Sequence, residues 1–182
     1  MFLVLFGMSG IGKSTLARGL QQRSPKLFTR PRMLTTRPRR ASDDDQEMEF
    51  LNPEEYLAIA AKGLMVDMRS PDGLAYYGYR NESEVEHVCP ILLGSPYVFD
   101  RFLLLPGAVK VLLIGDPNLG LALRNETAEY REKREMINRE LNDRFYGRSE
   151  FRGKCDLILQ NEFVCQHEFV VKCERAVLEC LR

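Results

Sequence analysis

The chain has no excess of charge of either sign, with Lys plus Arg and Asp plus Glu at 26 each. No global field therefore draws it to nucleic acid or to an anionic membrane surface. It also lacks any apolar stretch approaching the length of a membrane span. The first apolar run, Phe2-Leu3-Val4-Leu5-Phe6, is short and has no basic leader, so a strand is expected there rather than a signal peptide. Paired cysteines are lacking as well. The five present (Cys89, Cys155, Cys165, Cys173, Cys180) are odd in number and form no C-x-x-C pair. Free thiols in a reducing cytosol are expected, with Cys173 and Cys180 on the apolar stripe of a C-terminal helix. Cys165 and His167 are close in sequence, yet one of each makes no zinc site. Repeats and low-complexity segments are absent. At 182 residues the chain suits one α/β domain with excursions and a sizeable core.

What is present begins with Gly7-Met8-Ser9-Gly10-Ile11-Gly12-Lys13-Ser14, between that first apolar run and Thr15-Leu16-Ala17-Arg18-Gly19-Leu20. This is G-x-x-x-x-G-K-[ST] in its required setting, a buried strand running into a helix. The glycines let the backbone wrap a phosphate chain, and successive amide N–H groups with the helix N-terminus face the anion. Lys13 supplies a point charge for the β/γ-phosphates, and the Ser14 hydroxyl suits a Mg²⁺ position. The chain is expected to bind a nucleoside triphosphate through Gly7 to Thr15.

Strands and helices alternate, which predicts a mostly parallel sheet covered on both faces. A helix after the loop runs to about Arg23 and ends at Ser24-Pro25. Residues 33–88 break the alternation with short polar strands around one helix, capped by Asn52 and opened by Pro53. Further strands are expected at Pro90–Leu93, Val109–Ile114 and Leu157–Leu159, and a final helix over roughly 164–181. From Arg124 to Arg144 six basic residues (Arg124, Arg131, Lys133, Arg134, Arg139, Arg144) are interleaved with acids. Most suit a solvated helix with i,i+4 pairs, but phosphoryl transfer needs mobile arginines, and two or three are expected to act.

A second constellation is Thr35-Thr36-Arg37-Pro38-Arg39-Arg40-Ala41-Ser42-Asp43. Arginines three apart, held by a proline, can present two guanidinium forks to one phosphate. Gly73-Leu74-Ala75-Tyr76-Tyr77-Gly78 follows, where a phenol adds a neutral donor. One phosphate site at the loop and another here mean a donor nucleotide and a phosphorylated acceptor.

On these residues the chain resembles the guanylate kinase family over nearly its whole length. The matches are the loop, Thr35, Thr36, Arg37, Arg40 and Asp43 of T-T-R-x-x-R-x-x-[E/D], and Y-Y-G at Tyr76-Tyr77-Gly78. An arginine-bearing lid follows, then Leu159-Gln160-Asn161-Glu162, placed like the family's strand end near the adenine. The resemblance implies an α/β P-loop NTPase fold, a three-layer parallel-sheet core (1–32 and 89–182) with an inserted acceptor-binding domain (33–88) and a lid (124–144). It implies ATP with Mg²⁺ as donor and Asn161 beside the base. Arg37, Arg40 and Tyr77 would hold the acceptor phosphate, and Asp67 would either accept from a guanine or stand as an ordinary exposed acid.

Four departures bear on the acceptor. Met33 replaces a serine, Met48 or Glu49 a tyrosine, and Tyr79 a serine or threonine. A strand expected to end in aspartate ends in Leu93-Gly94-Ser95-Pro96. Ribose 1,5-bisphosphate phosphokinases share such a Gly-Ser dipeptide. Asp116 either replaces the missing acid near Mg²⁺ or caps the helix opening at Pro117, the second fitting Asp-Pro-Asn better.

The expectation is a cytosolic kinase passing the ATP γ-phosphoryl to the phosphate of GMP or dGMP. Ribose 1,5-bisphosphate is the alternative acceptor, and a non-catalytic guanylate-kinase-like interaction module the alternative class. Lys13, Arg37 and the lid residues Arg124, Arg131 and Arg139 would act in transfer. Thr35, Arg37, Arg40, Asp43, Asp67, Tyr77, Tyr79 and Ser95 would surround the acceptor. No nucleic-acid or membrane partner is expected.

Overall fold

The computed structural model describes residues 1–39, 43–70, 73–81, 89–123, 127–162 and 165–181. Its centre is β1 (Phe2–Phe6), whose Leu3, Val4, Leu5 and Phe6 are fully buried. A strand covered on both faces must be apolar at consecutive positions, and this one is. Successive side chains point to opposite faces, which splits the core in two. Leu3 and Leu5 pack with Leu16 and Leu20 of α1 (Lys13–Arg23) and Phe169, Val170, Cys173 and Val177 of α7 (Gln166–Cys180). Val4 and Phe6 face the opposite side with Phe99, Phe102, Tyr146 and Phe151.

The main sheet is five-stranded and parallel, in the order β2 (Phe28–Thr29), β7 (Cys89–Leu93), β1, β8 (Ala108–Gly115), β9 (Leu157–Asn161). The α/β P-loop architecture expected from the sequence is therefore the one observed. Strands expected at 90–93, 109–114 and 157–159 each run one or two residues longer, because the ladder pairs them through Cys89↔Phe28, Phe2↔Ala108 and Gly115↔Asn161.

A second sheet has the order β4 (Met48–Phe50), β3 (Met33–Thr35), β6 (Tyr76–Arg80), β5 (Leu64–Arg69). Beside it lies α2 (Pro53–Ala60), opened by a reciprocal capping box. Asn52 Oδ1 accepts from the Glu55 N–H at 2.8 Å, and Glu55 Oε2 accepts from the Asn52 N–H at 2.8 Å. Tyr79 of β6 joins the two sheets. Its ring is 2% exposed in the Phe6 cluster, and its hydroxyl accepts from the N–H of Leu93 at the end of β7, 2.9 Å away.

Beyond β7 come one turn of 3₁₀-helix (Pro96–Val98), α3 (Phe99–Leu103) and β8. Asp116 then caps α4 (Pro117–Ala122), accepting from the Asn118 N–H at 2.9 Å. The charged segment forms α5 (Ala128–Leu141), capped by Thr127 and followed by a π-helical turn (Asn142–Tyr146) and α6 (Ser149–Gly153). All five cysteines are unpaired; Cys173 is buried, while Cys180 is only half-buried near the end of α7. No helix among the described residues is long and apolar enough to cross a membrane.

Candidate functional site

The loop between β1 and α1 is held open by its glycines. Gly12, the N-cap of α1, has φ 99° and ψ 14°, a left-handed conformation that a side chain resists. A Cβ there would also stand 2.7 Å from Asn161 Nδ2. Lys13 Nζ donates to the carbonyls of Gly7 and Met8 at 2.7 and 2.9 Å, folded over the loop it serves.

Two cavities meet at this loop. The first, about 470 Å³, is lined by Ser9, Gly10, Gly12, Lys13, Ser14 and Thr15, by Gly120 and Leu123 around α4, and by Asn161, Cys165, Gln166 and Phe169. The second, about 410 Å³, lies towards the smaller sheet and includes Ser14, Arg18, Arg30, Met33, Arg37, Asp43, Glu47, Met48, Tyr79, Leu93 and Tyr130. Among the described residues Ser14 alone lines both.

In the second cavity Arg37 forms a two-pronged pair with Asp43, Nη1 to Oδ2 and Nη2 to Oδ1, each 2.7 Å. Both side chains are about nine-tenths buried. The bound Asp43 carboxylate holds the Arg37 guanidinium above its ordinary value, against the opposing pull of burial. Arg37 also lies over the Phe50 ring, 5.4 Å from its centroid. Glu47 collects two further guanidinium groups, Arg18 at 2.7 Å and Arg30 at 2.5 Å. The wall is otherwise largely apolar, with Met33, Met48, Ile91, Leu93 and the Tyr79 ring.

The residues expected around the acceptor are placed unevenly. Arg37, Asp43 and Tyr79 line the second cavity, and Tyr77 is close enough to the Arg37 guanidinium to act on it electrostatically. Thr35 is buried beneath, its hydroxyl accepting from the Arg37 N–H at 3.3 Å. Tyr79 does not present a free phenol: burial drives its ionisation far up, and its hydroxyl oxygen is bonded to Leu93. Asp67 and Ser95 are on neither cavity wall. The Tyr56 hydroxyl sits 2.7 Å from Asp67 Oδ1, and Arg101 lies 3.8 Å from Oδ2. At Gly94 a Cβ would meet the Phe6 ring at 2.4 Å, which rules out a side chain where the family pattern calls for one. Arg40 and Arg124 lie outside the described residues.

Asn161 is on the wall of the first cavity, but its Nδ2 donates to the Ile11 carbonyl at 3.0 Å, bracing the loop from below. Among the lid arginines, Arg131 is half-buried and Arg139 exposed. Arg134, not favoured from the sequence, stacks on Tyr130, whose side chain reaches the second cavity. Asn138 was missed altogether. It is 2% exposed, and its carboxamide bonds both polar groups of the Ser9 residue, accepting from N–H at 2.8 Å and donating to C=O at 2.9 Å. The available signal was spacing: Tyr130, Arg134 and Asn138 recur every four residues and share a helix face.

Mg²⁺ keeps several waters and takes one or two protein oxygens plus substrate phosphates. The Ser14 hydroxyl at the junction of the cavities fits that demand. The lining carboxylates Asp43 and Glu47 are committed to arginines, and Asp116 to its helix cap. No cluster of three or more His, Cys, Asp or Glu suited to a metal occurs among the described residues.

No protein-family model matches the chain. It is 26% identical over 168 residues to the guanylate kinase of Frankia casuarinae, covering 88% of this chain and 84% of that one. It is 30% identical over 86 residues to the guanylate kinase of Trichormus variabilis, spanning 47% of this chain and 43% of that protein. For the Helicobacter pylori enzyme the figures are 35% over 98 residues, 54% of this chain and 46% of that one. Several of these matches thus span under half the relative's length. The crystal structure of guanylate kinase from Anaplasma phagocytophilum superposes with a TM-score of 0.67 at 16% identity, covering 98% of this chain and 85% of that one.

Proposed function

From a chain that resembles the guanylate kinases in sequence and shares their fold, we propose a kinase that moves the ATP γ-phosphoryl onto the phosphate of a small acceptor. The acceptor named by the relatives, a guanylate, is the first candidate, GMP or dGMP. The observation that carries this reading is the pair of cavities abutting at Ser14, one built on the phosphate loop and the other on Arg37.

An oxygen of the ionised acceptor phosphate attacks the γ-phosphorus while the bond to the β–γ bridging oxygen breaks. ADP leaves, the acceptor gains a diphosphate, and no proton need be removed. Catalysis is positioning plus charge neutralisation. Lys13 releases the loop carbonyls and meets the β/γ-phosphates. Arg37, with Arg40, holds the acceptor phosphate, and Arg131 on the lid helix faces the moving charge. Mg²⁺ on Ser14 would neutralise donor phosphate charge. Residues 33–88 serve as the acceptor-binding insertion, and 124–144 as the lid.

A second acceptor is favoured by one observation. Arg18 and Arg30 bring two more guanidinium groups to the same cavity, and Asp67 and Ser95 stand off its wall. That arrangement suits a compound with two phosphates, such as ribose 1,5-bisphosphate, better than a base to be read at its edge. A coupled ADP-release assay over GMP, dGMP, other nucleoside monophosphates and ribose 1,5-bisphosphate tests the reading. Turnover of one acceptor, lost in Lys13→Ala, is expected. Release at background for every acceptor overturns it, and absence of ATP binding points to an interaction module.

A further inference from the structure

The first half of the phosphate loop is gripped by the segment that carries the lid arginines. Asn138, on α5, satisfies both polar groups of Ser9 from 129 residues away. Eight residues on, at the end of the π-helical turn, the buried Tyr146 hydroxyl comes close enough to the Gly7 backbone to act on it electrostatically. A carboxamide can accept and donate at once, matching a peptide group on both sides as another strand would. Alanine or leucine would leave both Ser9 groups unpaired. A π-helical turn is uncommon and clusters at functional sites, and here it aims Tyr146 at the loop.

These two contacts fall on the backbone of Gly7 and Ser9. Ser9, Gly10 and Gly12 to Thr15 line the donor cavity. Ser9 thus has two attachments: its peptide groups are bound to α5, and the residue itself lines the donor cavity. Arg131 lies seven residues before Asn138, about two turns along the same face, and Arg134 about one turn.

We propose that Asn138 is a positioning residue that couples the phosphate loop to the lid helix, so that filling the loop sets Arg131 and Arg134 over the donor. The proposal rests on the kinase reading above for its consequence in turnover, though not for the coupling itself. Asn138 touches no reacting atom; it acts through the Ser9 peptide and through the helix that bears it. The Tyr146 hydroxyl reinforces it from the far end of the same segment.

The test compares wild type with Asn138→Ala, Asn138→Asp and Tyr146→Phe. The aspartate keeps the acceptor for the Ser9 N–H but opposes a charge to its carbonyl, and the phenylalanine removes one hydroxyl with the ring in place. Hydrogen exchange over residues 128–141 is followed with and without a non-hydrolysable ATP analogue, beside the analogue's affinity. In wild type the analogue is expected to slow exchange in α5. In Asn138→Ala it should still bind, within about threefold, while protection of α5 is lost and kcat falls about 10- to 100-fold, the cost of a misplaced group. Asn138→Asp should follow it, and Tyr146→Phe should move in the same direction by less. An α5 indifferent to the analogue in wild type overturns the proposal. So does a variant with lowered Tm but unchanged protection and kcat, the signature of a merely structural side chain. Should the alanine and aspartate variants not fold, Tyr146→Phe decides: unaltered coupling in it overturns the proposal. If protection behaves as stated while no acceptor is phosphorylated, the kinase reading fails and the coupling stands.

Discussion

Replacing Gly12 by alanine should disable the loop through two separable effects. Gly12 has φ 99°, and its added Cβ would stand 2.7 Å from Asn161 Nδ2 and 3.6 Å from Phe169 Cε1. Holding a side chain in that backbone region costs about 1–3 kcal/mol. Asn161 cannot yield without surrendering its bond to the Ile11 carbonyl, and a buried group left unpaired costs about 1–3 kcal/mol. The sum is roughly 2–6 kcal/mol, a large share of the about 5–15 kcal/mol that holds a domain together. Gly63 is a matched control: its φ is 101°, and an added Cβ there meets nothing within 4 Å. Gly63→Ala should therefore show the backbone cost alone. Urea unfolding gives the two losses, and their difference, about 1–3 kcal/mol, isolates the clash. ATP titration of Gly12→Ala should show weakened binding, while Gly63→Ala binds as wild type. Equal destabilisation in the two variants, or full ATP affinity in Gly12→Ala, would refute the reasoning.

Arg37→Ala should reduce acceptor kcat/KM about 10- to 100-fold, from the roughly 1.5–3 kcal/mol of a charge-assisted bond, with ATP affinity nearly unchanged. Loss of ATP binding in that variant would show that the two sites are not divided as described. Arg37→Lys keeps the charge without the fork and should restore activity only in part. Alkaline pH should destabilise the fold. Burial pushes the thiols of Cys89, Cys155 and Cys173 from 9.0 up to about 11. Folding then favours the neutral thiol, so this stability is complete below pH 9 and is lost as pH climbs towards 11. A Tm that stays level across that interval would contradict it.

The phosphate loop was legible because its signal is local: a strand, a glycine pattern and a helix in unbroken sequence. The caps of Asn52 and Asp116 were legible for the same reason, each partner lying two or three residues away. The bond of Asn161 to the Ile11 carbonyl was not legible, since it spans 150 residues. Tyr79 marked a departure that the sequence could not interpret. Only the fold reveals that its hydroxyl meets the N–H at the end of β7. Asn138 was hidden among charges for a similar reason, its partner being in another element altogether. Glu47 and Arg30 carry no local motif, and only the fold brings them to the wall of the second cavity.

The partition at Ser14 carries a kinetic corollary. A ping-pong scheme needs a carrier side chain that accepts the phosphoryl from one chamber and surrenders it to the next. Among the described residues no histidine or carboxylate lines both chambers; Ser14 alone borders them, and in the proposed reading its hydroxyl is a Mg²⁺ position and not a nucleophile. Transfer in one displacement then requires both reactants in residence at once, so initial-rate plots for a kinase of this build should intersect rather than run parallel.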